Sequence, residues 1–187
     1  MASSLPFFCL LVLWLGLQAA PSAAQRGGKS ATPADALCSD PRFKTLCRII
    51  LAAGDGQGAT ALQNPKSVIT VFAPTDEAFG KDGKNTTRRL KLKDFNDIFT
   101  TPTAADRLLR GLIIPVAGLL TKALQSGNKY MNGLGLQISS ATWSDQIYTS
   151  SPELKREITK TRILVGQAVL YIVNSSVPFV LGEYRRH

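Results

Sequence analysis

The chain has 187 residues and a formal net charge of +9, from 22 Lys and Arg against 13 Asp and Glu. This length suits one domain of ordinary size and argues against a protein of several domains. Its one histidine is the last residue, His187, which argues against catalytic and metal sites that need a firmly held imidazole.

Residues 1–24 contain no Lys, Arg, Asp or Glu. Their apolar core runs from Leu5 to Leu17, and small residues follow as far as Ala24. This pattern is typical of a secretory signal peptide cleaved after Ala24. A membrane anchor is the less favoured alternative, because the core is shorter than the ~20 residues that span a bilayer. The basic tail, residues 183–187, lacks the apolar stretch of a lipid-anchor signal, so we expect a secreted, extracellular protein without a membrane anchor.

Residues 25–36 are rich in Gly, Ser, Ala and Pro, which predicts a flexible lead. Cys9 falls in the signal peptide, so the mature chain keeps Cys38 and Cys47. An even pair in an oxidising compartment favours a disulfide. Two separate thiols, with Cys47 as a small core residue, remain the alternative.

A helix is predicted from Pro41 to Ala53, with Asp40 as its cap. The glycine-spaced stretch that follows, residues 54–58, predicts the end of this helix and a connector. A phosphate-binding loop would instead follow a strand. The predicted apolar face comprises Phe43, Leu46, Cys47, Ile50 and Leu51.

The next segment changes from a strand pattern to a helix start. Ser67 to Phe72 is β-branched and aromatic, and Pro74 is expected to end the strand. Thr75 suits a helix N-cap, with Asp76 and Glu77 in the first turn, where the helix dipole favours negative charge. The segment therefore predicts a strand, a sharp corner and a capped helix.

A basic cluster follows this corner. One interpretation is a solvated loop and helix face. The other is a contact surface for acidic polysaccharide or another anionic matrix component, which would bind less tightly as salt rises. Nucleic acid is not an expected partner, because the protein is predicted to be exported and the cluster has no interleaved aromatic residues. The six cations are Lys81, Lys84, Arg88, Arg89, Lys91 and Lys93.

Two sequences match the N-glycosylation pattern. Asn85-Thr-Thr87 lies in a predicted exposed loop, so we expect Asn85 to be glycosylated. Asn174-Ser-Ser176 follows a predicted strand, and Asn174 is either glycosylated or an unmodified turn residue.

A second long helix is predicted to begin at Thr103, with Asp106 as its capping-box partner. Pro115 ends this run, and Leu119 to Leu124 adds a turn of helix. The inward-facing residues are expected to be Leu108, Leu109, Leu112 and Ile113.

The rest of the chain has a strand pattern. Asn132-Gly133 predicts a tight turn, and Gly166 joins two strands at Ile158 to Leu164 and Ala168 to Val173. Val177 to Leu181 is the last predicted strand. Helices gathered early and strands gathered late predict an α+β domain.

The corner segment, Ile69-Thr-Val-Phe-Ala-Pro-Thr-Asp-Glu-Ala-Phe79, closely resembles the first signature motif of the fasciclin domain family. Residues 108–115, 130–138 and 166–181 resemble its later motifs more loosely. The resemblance implies a single fasciclin-like domain over residues 37–182, a twisted and mainly antiparallel β-wedge with several helices packed on it. The motif residues are Thr70, Val71, Phe72, Ala73, Pro74, Thr75, Asp76, Ala78 and Phe79.

The resemblance also implies a function. Family members act as non-catalytic adhesion modules, so we expect a secreted module that contacts extracellular matrix or cell wall, with no cofactor, no metal site and no catalytic residues. Gly111-Leu112 stands where the family often has Tyr-His, so the adhesive activity of that dipeptide does not carry over. Some algal members carry carotenoids. The alternative is therefore a soluble carrier that holds a carotenoid or other apolar small molecule against Ile113, Ile114 and Pro115, and a carboxylate enzyme is a third hypothesis.

Overall fold

The computed structural model describes residues 31–115, 129–143, 146–151 and 154–174. The helices are α1 (Pro33–Ser39), α2 (Lys44–Ala52), α3 (Gln57–Gln63), α4 (Asp76–Leu90) and α5 (Pro102–Leu112), with 3-10 turns at Pro41–Phe43 and Phe95–Phe99. The strands are β1 (Thr70–Pro74), β2 (Ile113–Ile114), β3 (Lys129–Met131), β4 (Gln137–Trp143), β5 (Gln146–Ser151), β6 (Leu154–Val165) and β7 (Ala168–Val173). The predicted α+β class is confirmed.

Several predictions fall outside the described residues. They are the signal peptide at residues 1–24, the helical turn at Leu119 to Leu124, the strand at Val177 to Leu181 and the basic tail. Within the part of the chain that the structure describes, no helix is both long enough and apolar enough to cross a membrane.

The seven described strands form one sheet in the order β2-β1-β7-β6-β5-β4-β3. Strands β1 and β7 run parallel, in register from Thr70 opposite Val169 to Pro74 opposite Val173. The other pairs in this sheet are antiparallel, which confirms the mainly antiparallel sheet. Because β1 and β7 are interior strands that are buried throughout, the sheet is organised around their pairing.

The predicted corner after β1 is present, but the strand begins and ends later than expected. Thr75 is the N-cap of α4, and its hydroxyl oxygen accepts a hydrogen bond from the Ala78 N–H at 3.2 Å. Pro74 belongs to β1 and lies opposite Val173. Proline is tolerated there because the next residue, Thr75, donates to the Val173 carbonyl, at 3.4 Å, and β2 pairs only with the start of the strand.

The predicted flexible lead is wrong from Pro33 onward, because α1 begins there. The Thr32 hydroxyl accepts from the Asp35 N–H at 3.0 Å, and the Asp35 carboxylate accepts from the Thr32 N–H at 2.9 Å. This reciprocal capping box, with Pro33 in the first turn, satisfies amide donors that a free helix end leaves unpaired. The pattern Thr-x-x-Asp is the helix signal that the small-residue composition obscured.

Helix α2 buries most of the predicted apolar face, but the prediction is wrong at one position. Phe43, Leu46 and Ile50 are buried as predicted, whereas Leu51 is 70% exposed and Ile49 is buried in its place. The buried positions therefore follow the helical repeat that starts at Leu46.

The predicted disulfide is confirmed. Cys38, near the end of α1, is bonded to Cys47 of α2, and their Cα atoms are 5.0 Å apart. Helix α1 folds back along α2, as the pairing requires, and the bond fixes the two helices against each other.

The start of α5 differs from the prediction. Thr101, not Thr103, is the N-cap, and Pro102 occupies the first turn. Asp106 makes no capping box. Its carboxylate instead accepts from the Gly58 N–H at 2.7 Å, which connects α5 to α3. The predicted inward residues Leu108, Leu109, Leu112 and Ile113 are all buried.

The predicted turn at Asn132-Gly133 is present but longer than expected: the Gly135 N–H donates to the Asn132 carbonyl at 2.9 Å. β3 and β4 are joined by residues 132–136, since Met131 pairs with Gln137. The Asn132 carboxamide oxygen accepts from the Leu134 and Leu136 N–H groups at 3.0 and 2.9 Å. Gly133 approaches α5 closely, so that a Cβ there would lie 2.9 Å from the Arg110 carbonyl oxygen. The glycine serves this close approach. The tight turn at Gly166, by contrast, is confirmed, with Gly166 at φ +57°.

Substitution Thr75→Ala removes the cap of α4 and is expected to lower the free energy of unfolding by about 1 kcal/mol. Thr103→Ala is the control. The exposed Thr103 side chain lies in α5 and makes no hydrogen bond among the described residues, so we expect a change within about 0.5 kcal/mol. Denaturant unfolding measures both, and equal losses would contradict the assignment of the cap.

Replacing both cysteines, Cys38→Ser with Cys47→Ser, opens a bridge with a sequence separation of 9. For so short a loop the expected loss of unfolding free energy is about 2–3 kcal/mol. Reductant should lower the midpoint of denaturant unfolding of the wild type to that of the double variant and leave the variant unchanged. A reductant effect on the variant would show that the loss arises elsewhere.

Candidate functional site

Helix α4 positions most of the basic cluster. The sequence predicts a loop and a helix face here, but four of the cations lie within the helix: Lys81, Lys84, Arg88 and Arg89. Lys91 ends the helix in the left-handed conformation, at φ +59°, and Lys93 follows. The helical repeat then divides the cations among different sides of the helix.

One side of α4 forms a cleft with the segment that follows the helix. Residues 80, 83, 84, 87 and 88 share this side, as their spacing requires, and residues 92–95 form the opposite wall. The cleft has a volume of about 670 Å³. Its lining includes Gly80, Gly83, Lys84, Arg88, Lys93 and Phe95.

Aromatic rings pack against one another beside the cleft. Phe79 is buried, and its ring centroid lies 5.8 Å from that of the half-buried Phe95. Phe95 also makes an edge contact with Phe99 at 5.9 Å, and the Arg48 guanidinium lies 3.9 Å from the Phe99 ring centroid. These contacts hold Phe95 in one position while part of its ring faces the cleft.

Three cations surround the cleft. The side chains of Lys84 and Lys93 have no ion-pair or hydrogen-bond partner among the described residues, and Arg88 donates from Nη2 to the Asn85 Oδ1 at 3.1 Å. The one carboxylate in the lining, Asp94, accepts from the backbone and side chain of Asn96, each at 2.8 Å. Because three cations face one carboxylate, the described lining of the cleft has a net positive charge.

The other basic residues do not belong to this group. Lys81 is paired with Glu77 at 2.6 Å across one turn of α4, and this hydrogen bond lowers the pKa of Glu77. Arg89 and Lys91 lie outside the cleft lining. Of the six predicted cations, the structure thus brings together Lys84, Arg88 and Lys93.

Sequence reasoning missed the two glycines in this wall. Gly80 and Gly83 lie in the interior of α4, where glycine is less stable than alanine by about 0.5–1 kcal/mol. A Cβ at Gly80 would meet nothing within 4 Å, and one at Gly83 would meet Phe95 at an ordinary 3.7 Å. Packing therefore explains neither glycine, whereas both open the cleft. Their presence inside a well-capped helix was the available signal.

A second cleft, of about 510 Å³, lies between the α2–α3 connector and α5. Two of its polar side chains, those of Asp106 and Arg110, are engaged with the protein. Asp106 accepts from Gly58, and Arg110 donates from Nε and Nη2 to the Gly133 carbonyl at 3.0 and 2.8 Å. These bonds hold α5 against its neighbours. The described lining balances two cations, Arg107 and Arg110, with two carboxylates, Asp55 and Asp106, so this cleft is a weaker candidate for binding an anion.

The predicted loop at Asn85 is wrong, because Asn85 lies within α4 and is half-buried. Two threonines of this sequon, Thr86 and Thr87, donate hydrogen bonds from their hydroxyls to the carbonyls of Asp82 and Gly83. Asn174 is exposed at the end of β7. Glycosylation of Asn85 and of Asn174 stays a prediction.

The residues predicted to hold an apolar ligand are mostly inaccessible. Ile113 and Ile114 are 3% and 2% exposed, because β2 pairs with β1 and turns both side chains into the core. Only Pro115 is exposed. The two isoleucines therefore present no open apolar surface to the ligand that the carrier hypothesis requires.

The comparisons with known proteins address the fold. The sequence matches the model of the fasciclin domain family over residues 41–177. The chain belongs to the fasciclin domain family.

A solved structure, a FAS1 domain pair from the insect cell adhesion molecule Fasciclin I, also resembles this fasciclin domain. The TM-score is 0.63 at 14% sequence identity, and the match covers 78% of this chain and 50% of the other. At this identity the likeness concerns the fold alone, and this chain spans about half the length of that structure. No curated protein matches the sequence.

The signature motif of the fasciclin domain has a structural role here. Thr70 to Pro74 form the buried strand β1, and Ala78 and Phe79 are buried in the first turn of α4. The Asp76 carboxylate accepts from the Thr45 N–H at 2.7 Å, which holds α4 against α2. The motif thus positions the helix, and its last residue, Phe79, is also the first that lines the cleft.

Gly80→Ala is expected to raise the free energy of unfolding of this fasciclin domain by about 0.5–1 kcal/mol, because alanine favours the helix and meets no obstacle there. Gly58→Ala is the matched control. Its Cβ would lie 2.7 Å from the Leu109 Cβ, so overpacking should lower stability by about 1–3 kcal/mol. Thermal or denaturant unfolding gives both signs, and a loss at Gly80 would contradict the open geometry of the cleft.

Proposed function

We propose that this fasciclin domain is a secreted adhesion-type module that binds acidic polysaccharide of the extracellular matrix or cell wall and performs no catalysis. The observation that carries the proposal is the convergence of Lys84, Arg88 and Lys93 on one cleft whose described lining contains one carboxylate, that of Asp94. Such a cleft attracts carboxylate or sulfate groups.

The family supports the adhesion part of the proposal. The resembling solved structure comes from a cell adhesion molecule, and this chain shares its fold. A disulfide between Cys38 and Cys47 fits an oxidising compartment outside the cytosol, which agrees with the predicted signal peptide. We therefore propose that the protein acts outside the cell.

The binding energy of such a site is modest for each contact. An exposed ion pair contributes about 0.2–1 kcal/mol, so three cations give weak attachment to one isolated anionic group. A polysaccharide repeats its charges, and neighbouring groups rebind from a high effective concentration. The net charge of +9 adds long-range attraction that salt screens. Polymer binding that weakens steadily with salt is the expected behaviour.

The triple variant Lys84→Gln, Arg88→Gln and Lys93→Gln tests the site. On a column of immobilised acidic polysaccharide it should elute at distinctly lower salt than the wild type, because the local positive field is lost. The matched control removes the same charge from exposed positions elsewhere, with Lys66→Gln, Arg107→Gln and Lys129→Gln.

The control should keep most of its retention. If the two triple variants elute together, retention reflects overall charge and the cleft is not the site. If the wild type itself is not retained at low salt, the proposed function is wrong.

A further inference from the structure

We infer that the cleft beside α4 is a subsite for one sugar ring of an acidic polysaccharide, with the anionic group of that ring among Lys84, Arg88 and Lys93. The inference rests on the proposed function and deepens it, because it requires recognition of the ring as well as of the charge. Its basis is the glycine wall of the cleft.

The wall of α4 is open at the cost of helix stability. Gly80 faces empty space, and the nearest atom to a Cβ at Gly83 would be a Phe95 ring carbon at 3.7 Å. Alanine at either position would favour the helix and would place its methyl group in the cleft. Packing within the protein therefore does not require glycine at either position. The absence of a side chain instead leaves room for a flat ligand to approach the helix backbone.

The opposite wall provides an apolar surface. Phe95 is fixed by ring contacts with Phe79 and Phe99, and its half-buried ring lines the cleft. A pyranose has a face of C–H groups that packs well on the electron-rich face of an aromatic ring. Because Phe95 is already held in place, little side-chain entropy is lost on binding.

The charges lie at the margins of this surface. Lys84 and Arg88 come from α4, and Lys93 comes from the segment that follows it, so an anionic substituent meets cations from both walls. The volume of about 670 Å³ falls within the ~300–1,000 Å³ of sites that hold small ligands. A ring with one carboxylate or sulfate combines the two features that the cleft offers.

A charged polymer without sugar rings tests the recognition of charge separately from the recognition of a ring. Inorganic polyphosphate would use the cations but gain nothing from Phe95 or from the open glycine wall. Polygalacturonate carries carboxylates on rings, and dextran sulfate carries sulfates on rings. Comparing the three polymers therefore tells ring recognition from charge recognition, and the two ring polymers tell a carboxylate partner from a sulfate partner.

The test uses the wild-type secreted chain and the variants Gly80→Ala, Gly83→Ala and their combination, whose folding is checked by thermal unfolding. Binding to each polymer is measured by calorimetry at fixed low salt. We expect the double variant to be at least as stable as the wild type and to bind the preferred ring polymer about tenfold more weakly, because each methyl group overpacks the bound ring. Polyphosphate binding should change less than about twofold, a free-energy difference that is small beside that loss.

The outcomes are distinct. Equal binding of the ring polymers by the wild type and the double variant overturns the subsite, and so does an equal loss for all three polymers. In both cases the charge-based function survives. If the wild type binds none of the polymers, the proposed function fails together with the subsite.

Discussion

The parallel pairing of β1 with β7 is the contact on which the rest of the molecule depends. It joins segments far apart in the chain, from Thr70 opposite Val169 to Pro74 opposite Val173, and both strands are buried throughout. Non-local pairing of this kind gains its energy only after a long loop has closed. The bond from the Thr75 N–H to the Val173 carbonyl extends the pairing to the first residue before α4. The sheet therefore sets where the helix starts.

One side of helix α4 packs on the core of the protein, and another side faces the cleft that we assign to binding. Ala78, Thr86 and Leu90 are buried on one side, while Lys84 and Arg88 face the cleft on another. Asp76 binds the backbone of α2, and the disulfide holds α2 to α1. Stability is concentrated in these contacts, so the helix tolerates two glycines that weaken it locally. A well-anchored scaffold with a locally suboptimal wall is what a binding surface requires.

Local signals in the sequence predicted the elements whose causes are local. The Thr75 cap and the Gly166 turn need only a few neighbouring residues, and both are present. Residues 83–87, by contrast, contain poor helix formers and suggested a loop. They are helical because Thr86 and Thr87 are buried, a tertiary effect that overrides propensity. Their hydroxyls donate to carbonyls of the preceding turn, which satisfies these polar groups inside the protein. The sequence likewise did not predict the bonds that Asp106 and Gly133 make, since their partners Gly58 and Arg110 belong to other elements. The cleft was only half predictable. Its cations stood out by charge, but the packing of Phe95 beside Gly83 needs the folded chain.

The loop after β3 has a further consequence for how the domain behaves among many copies of itself. β2 and β3 stand at opposite ends of the strand order, yet the Gly133 N–H donates to the Ile113 carbonyl of β2 at 2.9 Å and to the Arg110 carbonyl at 3.0 Å. The loop that follows β3 is thus hydrogen-bonded to β2 and to the last turn of α5. Exposed borders are templates on which another chain adds a strand and aggregation begins. Because the Ile113 carbonyl of β2 is already bonded to this loop, that part of the border is not free to template a strand from another chain.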